Sequence, residues 1–335
     1  MNKNIDILKF IMAIMIVMIH SHVMFNFPLL RCAVPIFFTI SSYLFFKKIK
    51  NVSNQTAHEI YMKFLKRALK LYLFWFIILI PYMIITKLMI GNLTKFIELL
   101  PINVFLRSTF PASWYISAYI IGISIMYKFR HNNLSLLIIS IIFYIICCGV
   151  SNYGKLVFNI PVVEHFFSYE NTTLLSYIKN IYLSFPVGLI FIWFGKFLVY
   201  RHIDSKKYKY IGYIGAIIGL ILLFIENNLI ISKGWRIVND CYISMVLLAP
   251  SIFLTVLTFP KTVMWDSIIL RKMSTIYYCS HIPLITLQLY IYKILHINIS
   301  TLLLCICTLI LCTIVALLFI SLAKKSIFRA LRFSY

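Results

Sequence analysis

The sequence predicts an all-α, polytopic integral membrane protein of about ten transmembrane helices with both termini cytoplasmic. Three observations predict it. The chain is 62% hydrophobic and only 12% charged, with a mean hydropathy of +0.93, whereas a soluble domain runs near half apolar and a quarter charged. Apolar runs of about 20 residues, the length that crosses a bilayer core, recur along the 335 residues with little left over. The Lys and Arg residues gather in alternate loops, as the positive-inside bias requires.

The first run is Ile5 to Val23. It has no small-residue cleavage site and is followed at once by more spans, so an uncleaved first helix is expected. Pro28 to Phe46 follows, and then Lys47, Lys48, Lys50, Lys63, Lys66, Arg67 and Lys70 mark a cytoplasmic segment before Leu69 to Ile90. The remaining runs are Ser113 to Tyr127, Leu134 to Val150, Ile181 to Tyr200, Tyr210 to Ile225, Cys241 to Phe259, Ser274 to Tyr292 and Ser300 to Ala323. Counting from a cytoplasmic N-terminus places most of the 32 Lys and Arg inside. No repeat or low-complexity linker interrupts the pattern, so residues 1–335 read as one membrane domain.

The long outer segments are Gly91 to Ala112 and Ser151 to Asn180, long enough to fold back over an external cavity. Glu164, Glu170, Glu226 and Asp240 are external by this topology, and nothing selects one of them to orient a histidine. A net charge of +23 would suggest nucleic acid in a soluble protein. In short loops between spans it instead marks topology and contact with anionic membrane lipids, and no nucleic-acid partner is expected. Cys147, Cys148, Cys279, Cys305, Cys307 and Cys312 lie in apolar runs without zinc-site spacing and read as packing residues. No metal is expected.

Ionisable groups inside spans are costly unless paired or hydrated, so each is a functional candidate. Lys9 and His20 lie 11 positions apart, three turns plus about 20°, which puts both on one helix face about 16 Å apart along the axis. His22 is rotated by about 200° from His20 and falls on a different face. Histidine titrates near neutrality and suits general-base work. For Lys9 the alternative is snorkelling at the inner interface, and for His20 a helix-packing hydrogen bond. Lys63, Lys66, Arg67 and Lys70 follow an i, i+3, i+4, i+7 pattern, either a stripe facing lipid headgroups or a phosphate clamp. Arg31, near the outer end of the second span, either snorkels or holds a sugar hydroxyl or a developing oxyanion near His20. His281 lies roughly 10 Å into its span, where exposure to lipid is disfavoured. Trp114 and Tyr115 fit interfacial aromatics.

Five segments resemble, in order, the membrane acyltransferase-3 family, which includes O-antigen acetylases and the enterobacterial common antigen acetyltransferase. "IDILKFIMAIMIVMIHSH" is similar to its opening, in which Arg or Lys precedes His by ten intervening residues, here Lys9 and His20. "RCAVPIFFTISSYLFF" resembles its Arg-x-x-Val-Pro segment through Arg31, Val34, Pro35, Phe37 and Phe38, with Ser42 where the family usually has Gly. "FLKRALKLY" offers Arg67 and Lys70 for an Arg-x-x-Arg stretch, and "SWYISAYIIG" offers Trp114 and Tyr115 for a helix start. "STIYYCSHIPLI" resembles a late Tyr-x-x-His-x-Pro segment through Tyr278, His281 and Pro283.

The resemblance implies an acetyl-CoA-dependent O-acyltransferase of the bacterial cytoplasmic membrane. Acyl-CoA would dock from the cytoplasm near Lys9, Arg67 and Lys70. The acceptor would be a lipid-linked or surface polysaccharide, with Arg31, Trp114 and Tyr115 as further substrate-binding positions. His20 would act as base or covalent acyl carrier, with Lys9 and His281 as the other catalytic positions. A transporter or flippase of lipid-linked sugars remains the alternative from the intramembrane His and Lys alone. There is no P-loop, Ser nucleophile elbow, His-Glu-x-x-His helix or EF-hand loop.

Overall fold

The computed structural model describes residues 3–89, 91, 93–106, 108–160, 181–259 and 267–335. Among these the chain is helical, with no strand. Ten long helices coincide with the ten apolar runs: α1 (Lys3–His20), α2 (Ala33–Ile49), α3 (Asn54–Met89), α6 (Ser113–Lys128), α7 (Asn133–Gly149), α9 (Phe185–Tyr200), α10 (Lys209–Ser232), α11 (Met245–Thr258), α12 (Ile268–Ile294) and α13 (Thr301–Leu322). Short helices α4 (Leu93–Glu98), α5 (Leu100–Leu106) and α8 (Gly154–Phe158) lie between them. A 3-10 turn, Pro28–Cys32, leads into α2, and another, Ser326–Ser334, follows α13. Glu164, Glu170, Lys261 and most of the second long outer segment lie outside the described residues.

Among the described residues, four helical stretches are long and apolar enough to cross a bilayer: Pro28–Ile49, Asn54–Met89, Lys206–Ser232 and Thr301–Leu322. In the last three, less than a third of the apolar window is buried by protein. Their outer faces carry exposed Ile and Leu at helical spacing, such as Ile211, Ile214, Ile218 and Ile221 on α10. An apolar surface that large is not left in water, so lipid covers it and the chain is a membrane protein. Helices α7, α9 and α11 are shorter. The 16 residues of α9 rise only about 24 Å, less than a bilayer core, and α9 is almost wholly wrapped by protein instead.

The centre of the bundle is α2 packed on α9, flanked by α6, α7 and α11; a second layer sets α1 against α12 and α12 against α13. Small residues let backbones approach in these seams. A Cβ at Gly195 of α9 would strike the Thr39 carbonyl oxygen of α2, and one at Gly219 of α10 would reach the Leu248 backbone of α11. Ser42 sits in the same α2–α9 seam, fully buried, and donates to the Ile192 carbonyl at 2.5 Å. Lys196, inside the Ile181 to Tyr200 run, is only 2% exposed. Its ammonium donates to the Arg130 carbonyl at 2.8 Å and to Asn133 Oδ1 at 2.7 Å, tying α9 to the α6–α7 turn.

Helix ends differ from the expected runs where backbone geometry intervenes. The first run ends at His20 rather than Val23, because His22 and Met24 take positive φ of 60° and 52° and reverse the chain. α3 starts fifteen residues before Leu69 and reaches about 54 Å, so its basic first half extends beyond any apolar slab. All eight cysteines are free thiols, seven of them buried, consistent with packing.

Candidate functional site

α1 ends at His20 and α12 carries His281, and the packing of these two helices brings the imidazoles to 5.0 Å between ring centroids, inclined at 46°. His281 is fully buried. Its Nδ1 lies 3.0 Å from the Tyr277 carbonyl one turn back; a carbonyl only accepts, so Nδ1 carries the proton. Nε2 of a neutral ring is then an acceptor, and it is buried with no partner among the described residues. His20 is exposed to a cavity of about 420 Å³, which Tyr278 and Ile282, the neighbours of His281, also line.

Across that cavity stands Arg31, in the 3-10 turn before α2. One of its guanidinium NH2 groups donates to Asp240 Oδ1 at 2.7 Å, with side-chain exposures of 10% and 27%. Phe25 lies under the guanidinium at 4.9 Å. Arg31 is therefore held inside by a carboxylate and does not snorkel. Asp240 keeps its second oxygen and faces the cavity. Trp114, Phe38 and Phe191 contribute aromatic wall. From the segment Gly91 to Ala112, Ser108 and Ala112 line this cavity.

His22 requires a correction. The helical-wheel argument put it on a different face from His20, but the wheel stops where the helix stops. Its left-handed backbone turns it back, and it lines the same cavity. Glu226 is engaged elsewhere: it accepts from the backbone N–H groups of Ile243 and Ser244 and from Tyr153, closing the turn into α11. Among the described residues it does not orient a histidine.

The other polar cluster lies toward the opposite end of α1. Lys9, half-buried, has Asp6, Arg271 and Arg67 within electrostatic range. Arg67 and Lys70 line a second cavity of about 250 Å³ with Lys63 and Lys66, so the predicted stripe does form one face. Thus the structure joins His20, His281, Arg31 and Trp114 in one place and Arg67 and Lys70 in another, with Lys9 beside the second group. Tyr115 lines neither cavity. It is packed between them, 5.3 Å from Tyr278 and 6.1 Å from Tyr119 in a near-parallel stack, with its hydroxyl 3.3 Å from Ser41 Oγ. Tyr278, adjacent to His281, donates to the Ala112 carbonyl at 2.9 Å and locks α12 to the start of α6.

The "Acyltransferase domain" family model, acyltransferase-3, matches residues 2–320. The chain belongs to the acyltransferase-3 family. Comparison with curated proteins and with solved structures gives no significant match. As an acyltransferase-3 membrane protein, the chain carries the motif positions named from sequence on α1, the 3-10 turn Pro28–Cys32, α2, α3, α6 and α12. Sequence reasoning missed three contributors. Asp240 was one acid among four until Arg31 selected it. Arg271 lies far from Lys9 in sequence, and only folding sets it near that residue. The residues after α13 offered from sequence only the cytoplasmic charges Lys324, Lys325, Arg329 and Arg332, yet Arg332, Phe333 and Tyr335 complete the second cavity.

Proposed function

We propose that this acyltransferase spans the membrane ten times with both termini cytoplasmic and O-acylates a sugar of a lipid-linked or cell-surface polysaccharide in a bacterial cytoplasmic membrane. The donor is cytoplasmic acyl-CoA, acetyl-CoA being the simplest. The observation that carries the reading is the His20–His281 pair at the edge of a cavity large enough for a sugar, in a chain whose family transfers acyl groups.

The donor enters from the basic cavity, where Lys9, Arg67 and Lys70 offer charge to its phosphates. The column Tyr119, Tyr115 and Tyr278 flanks the thioester arm toward the histidines. The sugar occupies the larger cavity against Trp114, an apolar ring face suited to a pyranose, while Asp240 accepts one of its hydroxyl protons in a hydrogen bond. His20 takes the proton of the attacking hydroxyl as its oxygen bonds to the acyl carbon. The carbon–sulfur bond breaks, and the thiolate leaves with the proton returned, giving ester and free CoA. His281 Nε2, an acceptor with no partner among the described residues, would receive a hydrogen bond from His20 once that ring is protonated.

The test is the ester content of isolated surface glycan from cells carrying His20→Ala at wild-type protein level. Loss of ester supports the reading; ester equal to wild type removes His20 from the reaction. Binding of acetyl-CoA to the purified chain separates it from a saccharide flippase, which has no use for that molecule.

A further inference from the structure

The family match ends at residue 320, and the segment beyond it is built into the basic cavity. We propose that this segment forms half of the donor site and that Arg332, Phe333 and Tyr335 recognise the phosphorylated adenine-nucleotide end of acyl-CoA. The inference rests on the donor reading above and names the part of the donor that the cavity holds.

Among the described residues, the cavity of about 250 Å³ has five cationic side chains on its wall, four from α3 and Arg332 from the 3-10 turn Ser326–Ser334, and no acidic one. None of the five is ion-paired among the described residues. On α3 the cations run from Lys63 to Lys70, about 10 Å of helix, long enough to meet phosphates at more than one point. Cations of this density, left unpaired, call for a polyanion.

The segment itself is fixed rather than draped. Trp75 Nε1 of α3 donates to the Ser334 carbonyl at 3.1 Å, and Ser334 is fully buried. Arg332 Nε donates to the Ala323 carbonyl at 2.9 Å, which sets the guanidinium at the cavity wall. Two rings stand beside the cations: Lys70 sits over Phe333 at 5.0 Å and Lys272 over Tyr335 at 4.6 Å. A bare phosphate or a lipid headgroup needs only the cations. Aromatic rings placed next to them suit a ligand that joins phosphates to a flat heteroaromatic base, which stacks on such rings.

The test is equilibrium binding to the full chain in nanodiscs of neutral phosphatidylcholine, with coenzyme A, 3′-dephospho-coenzyme A and inorganic phosphate as probes. Wild type is expected to bind coenzyme A best. Arg332→Gln and Phe333→Leu should each weaken that binding by about tenfold, the scale of one charged hydrogen bond or one stacked base. Phe333→Leu removes stacking without removing either anchor, so it serves if Arg332→Gln unfolds. Wild-type binding with both variants within twofold of it would overturn the role of the segment and leave the donor reading standing. Absence of coenzyme A binding by wild type would overturn both. In nanodiscs containing phosphatidylglycerol, substitutions that alter lipid retention but not coenzyme A affinity would assign the cavity to headgroups and overturn the nucleotide assignment.

Discussion

His20 and His281 sit 5.0 Å apart although they belong to the first and the second-to-last long helices of the chain. The two rings are not equivalent. His281 is sealed in protein and locked by its own helix in the Nδ1-protonated form, while His20 ends its helix and opens to the cavity. The exposed ring is open to whatever occupies the cavity; the buried one is closed off from it, with Nε2 unpartnered among the described residues.

Two isosteres separate the two ring nitrogens of His281. His281→Asn keeps a donor where Nδ1 points at the Tyr277 carbonyl and deletes Nε2. His281→Gln places an amide near the Nε2 position and loses the Nδ1 contact. If Nε2 steadies His20, the Asn variant loses acyl transfer by about a hundredfold or more, and the Gln variant retains more of it. The readout is glycan ester per unit of membrane-inserted protein; equal activity in both variants would leave Nε2 without a part.

The Arg31–Asp240 pair predicts a non-additive cycle. Its members are largely withdrawn from water, so removing one strands the other. A fully buried pair costs about 3–5 kcal/mol to break in this way, and residual exposure of Asp240 should reduce that to about 1–3 kcal/mol. Arg31→Met and Asp240→Leu should each lower the thermal midpoint of the purified chain. The double substitution should be less harmful than the sum of the two. Strict additivity would show that the contact contributes nothing.

How much of this was legible beforehand follows from the physics of each residue. The ten long helices were visible because each coincides with an apolar run, although only four helical stretches among the described residues have the length a bilayer demands. The pairing of His20 with His281 was not, since nothing in one dimension says that α1 packs on α12; both were singled out separately. His22 was misplaced because a helical wheel assumes helix, and two positive-φ residues end it at His20. Asp240 could not be told from Glu226, because each acid is defined by its partner: a guanidinium for one, two backbone amides for the other. Arg332, Phe333 and Tyr335 follow the last apolar run and have no periodicity to betray that they fold back on α3.

The α2–α9 seam predicts opposite outcomes for two small residues in it. Gly195→Ala drives a methyl into the Thr39 carbonyl and the Tyr43 amide, which are backbone and cannot step aside. Overpacking of this kind costs about 1–3 kcal/mol. It also shifts α2, and with it Arg31 and the cavity wall, so transfer activity should fall with stability. Ser42→Gly removes one interhelical hydrogen bond to the Ile192 carbonyl, worth about 0.6 kcal/mol on average in membranes. It should leave activity near wild type. Thermal midpoints together with glycan ester measure both, and a harmless Gly195→Ala would mean that α2 and α9 are not held this closely.

Moving an acyl group across the membrane requires that the two cavities face opposite compartments, and single cysteines can read this directly. Lys233 lies exposed between α10 and α11, whose connection carries Asp240; Lys206 lies exposed between α9 and α10, and Lys325 beyond α13. In a Cys307→Ser background the remaining native thiols are buried. Lys233→Cys should react with a membrane-impermeant maleimide in intact cells. Lys206→Cys and Lys325→Cys should react only after permeabilisation. Were Lys233→Cys and Lys325→Cys to label from the same side, the number of crossings between them would be even. Asp240 and Arg332 would then share a compartment, and a donor bound at one could reach an acceptor at the other only by leaving the protein.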